Sequence, residues 1–209
     1  MAGHSSVLED GSLLSRLDRH LLKFERFLAL VSGLAVFGLM VLAVVSVGGR
    51  NLFNRPLAGY VDWIEQLMPL IAFMGISFVQ REGGHIRMDI VIGMLRGRAL
   101  WLFELISVIL ILVLMAALVW GSWAHFQRSF DFEAPMWSND SSIDIGLPIW
   151  PAMLLAPVAF SVLCLRLLLQ IWGFGRAFLL GLANPVAVPL IEDTAAVAAH
   201  EAEQLEGHE

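Results

Sequence analysis

Phe27-Leu-Ala-Leu-Val-Ser-Gly-Leu-Ala-Val-Phe-Gly-Leu-Met-Val-Leu-Ala-Val-Val-Ser-Val47 runs for 21 residues without a charge. A hydrocarbon core of about 30 Å needs about 20 such residues in a helix. The run is continuous, whereas a barrel strand would alternate over about ten residues. It is also too long for the apolar region of a leader peptide, and a charged segment precedes it, so it reads as an uncleaved span.

Three further windows meet the same demand: residues 60–78, with Asp62 and Glu65 at the start, 99–123, with Glu104 near the start, and 150–172, with Arg166 near the end. The composition agrees. Of 209 residues, 58% are hydrophobic and 15% charged, against roughly 45–50% and 25% in soluble domains. Mean hydropathy is +0.75. A single cysteine, Cys164, excludes an internal disulfide and a Cys-rich metal site. The expected fold is an all-α integral membrane protein of four transmembrane helices. It divides into an N-terminal segment 1–26, a membrane domain 27–172 and a tail 173–209.

The net charge of −6 belongs to that tail. Glu192, Asp193, Glu201, Glu203, Glu206 and Glu209 stand there with no Lys or Arg from residue 191 onward, and the rest of the chain is balanced. The tail is expected to be solvated and disordered. No basic patch suits nucleic acid.

Lys and Arg counts orient the spans. Arg16, Arg19, Lys23, Arg26, Arg81, Arg87, Arg96, Arg98 and Arg176 flank one side, and Arg50, Arg55 and Arg128 the other. Both termini are therefore expected in the cytoplasm. Trp63, Trp120, Trp123, Trp137 and Trp150 fall at the outer boundary and Trp101 and Trp172 at the inner one, as an aromatic belt requires.

Between the spans the signals are weaker. Leu14, Leu17, Leu21, Phe24 and Leu28 recur at helical spacing beside a cationic stripe of Arg16, Arg19, Lys23 and Arg26, with Ser12 placed to cap the start. This predicts an amphipathic helix lying in the plane of an anionic inner leaflet, the alternative being a plain extension of the first span. In the inner loop, Gly83 and Gly84 can end the second span and Asp89 can cap a short helix, while His85 and Arg87 meet headgroups. The outer loop, 124–149, carries Asp131, Glu133, Asp140 and Asp144 among aromatics. Such a loop either docks another protein or covers the helix ends as a lid.

Catalytic chemistry is missing from the sequence. No Walker A, HExxH or GxSxG motif is present, and none of the six histidines lies mid-span as a haem ligand would. No cofactor, metal site or enzymatic activity is expected. The span charges sit near the ends rather than at the midplane, where transporter sites lie. Two groupings are predicted from them. Arg50, Asn54, Arg55, Asp62 and Glu65 form a polar cluster at the outer headgroup level. Glu104 and Arg166, each about 7–9 Å inside the inner boundary at 1.5 Å per residue, form a buried ion pair. A helical membrane protein without a centre of its own points to an accessory subunit. A small stand-alone transporter and a membrane scaffold are the alternatives.

Gly49-Arg-Asn-Leu-Phe-Asn-Arg-Pro-Leu57, Asp62-Trp-Ile-Glu65, Arg81-Glu-Gly-Gly-His-Ile-Arg-Met-Asp89 and Gly146-Leu-Pro-Ile-Trp150 stand in that order on four spans. The set resembles the small, DctQ-type membrane subunit of tripartite ATP-independent periplasmic (TRAP) transporters, with Gln66 where that family often has a second acid. The resemblance implies a bacterial inner-membrane complex that takes up organic acids with a sodium gradient. It implies two partners, a large permease subunit that carries the substrate and sodium sites and a periplasmic substrate-binding protein. The small subunit would brace the first and help dock the second, and the substrate is read by those other polypeptides.

Overall fold

A computed structural model describes residues 10–55, 57–81 and 98–181, together with residues 7 and 188. Its elements are helices: α1 (Leu13–Phe53), α2 (Tyr60–Met74), α3 (Ile76–Arg81), α4 (Arg98–Ser129) and α5 (Trp150–Leu180), with a short 3₁₀ turn at Pro135–Trp137. Two isolated β bridges, Phe130 with Ser138 and Ser141 with Pro148, lie in the loop before α5. Four stretches are long and apolar enough to cross a membrane: α1, α2 with α3, α4 and α5.

α1, α4 and α5 outrun their apolar windows, because backbone hydrogen bonding does not stop at the hydrocarbon edge. α1 has 41 residues, about 60 Å at 1.5 Å per residue. Its start is capped by the Ser12 hydroxyl, which accepts from the Ser15 N–H at 3.3 Å. It is unbroken at residue 26, so the cationic segment and the first span are one helix. α5 likewise carries on to Leu180, eight residues into the stretch expected to be tail.

The second span is interrupted: α2 runs on past Pro69 to Met74, and Gly75 separates it from α3. α1 ends on Asn54 in the left-handed conformation (φ 53°), and the Arg55 N–H reaches back to the Gly49 carbonyl at 3.2 Å. This return brings the Arg55 carbonyl oxygen to 2.8 Å from where a Gly49 Cβ would stand. Gly49 is therefore needed for close approach rather than for an unusual φ.

α5 is the central helix. Its one flank packs along α4 through Trp101, Val108, Leu163, Leu167, Phe174 and Ala177. Its other flank meets α1 and α2 through Leu28, Met74, Ala159 and Val162. Phe73 and Phe160 meet edge to face at 5.2 Å. The helices around it keep most of their apolar surface outward. On α1, Leu30, Leu34, Phe37, Val41 and Val44 form an exposed seam at alternating 4 and 3 spacing.

Candidate functional site

The polar core lies where α1, α3 and α5 converge. Asp18 and Glu25 are seven residues apart on α1, close to two turns, so they share a face with buried Leu14, Leu22 and Leu28. Ser77 and Arg81 are four apart on α3, and Arg166 and Gln170 four apart on α5. These three pairs meet. Arg166 grips Glu25 in a fork, Nε to Oε1 at 2.8 Å and Nη2 to Oε2 at 2.5 Å. Its Nη1 donates to Asp18 Oδ1. Arg81 Nη2 donates to the second oxygen of Asp18 at 2.8 Å. The Ser77 hydroxyl donates to Glu25 Oε1 at 2.5 Å. Beside them the Gln80 amide donates to Gln170 Oε1 at 2.9 Å.

Among the described residues two arginines and two carboxylates balance in this network, and Arg81 has a further interaction beyond it. Arg166, Asp18 and Glu25 are 0% exposed, and no buried side-chain polar atom among the described residues lacks a partner. Such completeness decides the energetics. Each ion alone would cost several kcal/mol to desolvate. Forked, charge-assisted bonds at low dielectric return that cost only when all members are present. With Arg166, Asp18 and Glu25 spent on one another, the network is suited to clamping three helices together.

A second polar assembly sits at the opposite end of the bundle. Asp62, in the first turn of α2, accepts from the Ser142 hydroxyl at 2.6 Å and from the Ile145 and Asp144 N–H groups at 2.8 and 3.4 Å. Gln66, one turn on, donates to the Pro148 carbonyl at 2.7 Å. Ser129 at the end of α4 donates to Asp140 at 2.7 Å. Phe126, Phe130, Phe132 and Trp150 stack in a chain with centroids 4.8–5.5 Å apart, and the Trp150 N–H donates to the Met136 carbonyl at 3.1 Å. Residues 130–149 are thus stitched to α2, α4 and α5 as an ordered lid. Gly59 forms the notch that receives Ile145. It has φ 71°, and a Cβ there would stand 2.5 Å from Ile145 Cδ1. Gly59→Ala should therefore lower the thermal midpoint, through about 1–2 kcal/mol of left-handed strain plus the clash. An unchanged midpoint would mean that the lid does not seat there.

Several expected groupings are rearranged. Arg166 is buried and paired, but its partners come from α1. Glu104 on α4 is also buried, 4% exposed, and has an interaction of its own. Of the predicted outer cluster only Asp62 is buried, and it bonds the lid. Arg50, Asn54, Arg55 and Glu65 are exposed and are not joined to one another by side-chain bonds among the described residues. Asp131 caps its own turn by accepting from the Glu133 N–H at 3.0 Å, and Asp140 holds Ser129. Glu133 and Asp144 point their carboxylates outward. His85, Arg87 and Asp89 lie outside the described residues.

Asp18, Glu25 and Arg81 were not anticipated from sequence. The signal was present: two acids seven apart on the same helical face as leucines demand buried partners. Residues 39–176 of the chain match the family described as tripartite ATP-independent periplasmic transporters, DctQ component. The chain belongs to the DctQ family. No curated protein matches it. As a DctQ component it is a multi-pass membrane subunit of a transporter that works with other subunits. The match includes Arg81, Arg166 and the whole lid, and begins after Asp18 and Glu25.

Proposed function

We propose that this DctQ component is the small subunit that braces the large permease of a TRAP transporter in a bacterial inner membrane, with both termini cytoplasmic. In this reading it also presents its lid to a periplasmic substrate-binding protein, in sodium-coupled uptake of organic acids. The family match across the span region carries the reading. The geometry supports it: the α1 seam offers packing surface to another helix, and the exposed Arg50, Asn54, Arg55 and Glu65 offer polar contacts at its outer end. The test is co-purification with a candidate large subunit, followed by uptake in proteoliposomes with and without this chain. Uptake is expected only with both subunits. Sodium-driven uptake by this chain alone would overturn the proposal.

Docking has its own prediction. Glu133→Gln with Asp144→Asn removes outward charge without touching the bonds that hold the lid. Apparent affinity for the binding protein should fall a few-fold at low salt, chiefly through the association rate, with little difference at high salt. Equal affinities across the salt series would limit the lid to covering the helix ends.

A further inference from the structure

We infer that the first four turns of α1 form a binding strip for anionic phospholipid in the inner leaflet. From residue 11 to 53 the only carboxylates are Asp18 and Glu25. Both are withdrawn into the ion-pair network with Arg81 and Arg166. The outward face carries the cations: Arg16, Lys23 and Arg26 are exposed, as is Arg19, which has an interaction of its own. Next to them runs an exposed apolar stripe of Leu13, Leu17, Phe24 and Phe27. At 100° per residue the buried face, the apolar stripe and the cations occupy three separate arcs of one helix. This stripe is not the one suggested by hydropathy, since Leu14 and Leu28 are turned into the bundle.

The network also sets the depth. Glu25 and Arg166 are bonded and therefore level. Arg19 lies six residues from Glu25, and Trp172 six from Arg166, so both stand about 9 Å nearer the N-terminal end of the bundle. Trp172 is half exposed, in the position of an interfacial ring. Arg16 and Arg19 thus fall within the headgroup layer, Lys23 and Arg26, about 6 and 10 Å further in, reach back toward it along the helix, and Phe24 and Phe27 meet the acyl chains. Asp10 stands outside the helix, its carboxylate accepting from the Ser12 N–H at 2.9 Å. A row of cations at headgroup depth over apolar contacts fits a phosphate-bearing, net-negative lipid rather than a zwitterionic one.

The inference uses the orientation proposed above but no partner subunit, so it is tested on the purified full-length chain in detergent. Phosphatidylglycerol or phosphatidylcholine is added while thermal unfolding and retained lipid, by native mass spectrometry, are followed. Phosphatidylglycerol should raise the midpoint and stay bound, and phosphatidylcholine should do neither. Arg16→Gln/Lys23→Gln/Arg26→Gln should weaken phosphatidylglycerol binding about fivefold per cation, roughly a hundredfold together. Arg50→Gln/Arg55→Gln, at the other end, should bind as the unaltered chain does. Should the triple variant fail to fold, the unaltered chain's own affinity for phosphatidylglycerol must still fall several-fold as salt is raised. Equal response to both lipids, a triple variant with undiminished affinity, or a flat salt series would each overturn the inference. Failure to co-purify with a permease would leave it standing.

Discussion

Arg166→Gln should lower the stability of the folded chain by about 3–5 kcal/mol, because it leaves Asp18 and Glu25 buried without their shared cation. Glutamine keeps much of the volume and two donors but not the charge or the fork. The two carboxylates then face each other across a low-dielectric site with Arg81 and Ser77 as their remaining side-chain partners among the described residues. Glu25→Gln should cost less than Arg166→Gln, since Asp18 remains to pair with both arginines. The double variant Arg166→Gln/Glu25→Gln should be more stable than the sum of the two losses implies, by at least about 1.5 kcal/mol. Thermal unfolding in detergent supplies the cycle. Additive losses would show that the fork contributes nothing as a pair, and the clamp would have to be assigned to Asp18 alone. Arg166→Gln/Glu104→Gln is the informative contrast. These two are not bonded, so their effects should add.

That contrast marks how far the sequence could be read. Span number and helical class were legible because an uninterrupted apolar run of about 20 residues has few other uses. Arg166 was legible as a buried charge for the same reason. Its partner was not. Depth along a helix follows from counting residues, and by that count Glu104 was a fitting mate. Which helices lie side by side, and which faces meet, depends on the packing of α5 between α4 on one flank and α1 with α2 on the other. The apolar stripe of α1 misled in a similar way. Hydropathy cannot separate leucines that face the bundle from those that face lipid, since both environments are apolar. Only the acids on the Leu14–Leu22 side mark the inward face. A carboxylate there must be paired, whereas a lysine or arginine outside can reach the headgroups by itself.

Asp62→Ala should release the lid while the spans remain assembled. The substitution removes the acceptor for the Ser142 hydroxyl and for the Ile145 N–H. Asp62 is 2% exposed, so the freed donors do not all regain water without movement. A hydrogen bond to a charged group contributes about 1.5–3 kcal/mol. With two good bonds and one longer one lost, the loss falls locally on residues 141–145. Gln66 and the aromatic chain around Phe130 anchor other parts of the lid, so it should open from the Ser142 side rather than unfold throughout. Hydrogen exchange would resolve this: amides of residues 142–147 should exchange faster by two orders of magnitude or more, while those in the middle of α5 keep their protection. Asp62→Asn should fall between, since an amide oxygen can still accept but carries no charge. Unchanged protection at Ile145 and Leu147 in Asp62→Ala would mean that the lid is held by its aromatic contacts alone. If the lid is the docking face, the same variant should also lose affinity for the binding protein with no change in its co-purification with the large subunit. That outcome would separate what the two ends of the molecule do: the buried ions fix the helices, and Asp62 fixes the surface that a soluble partner meets.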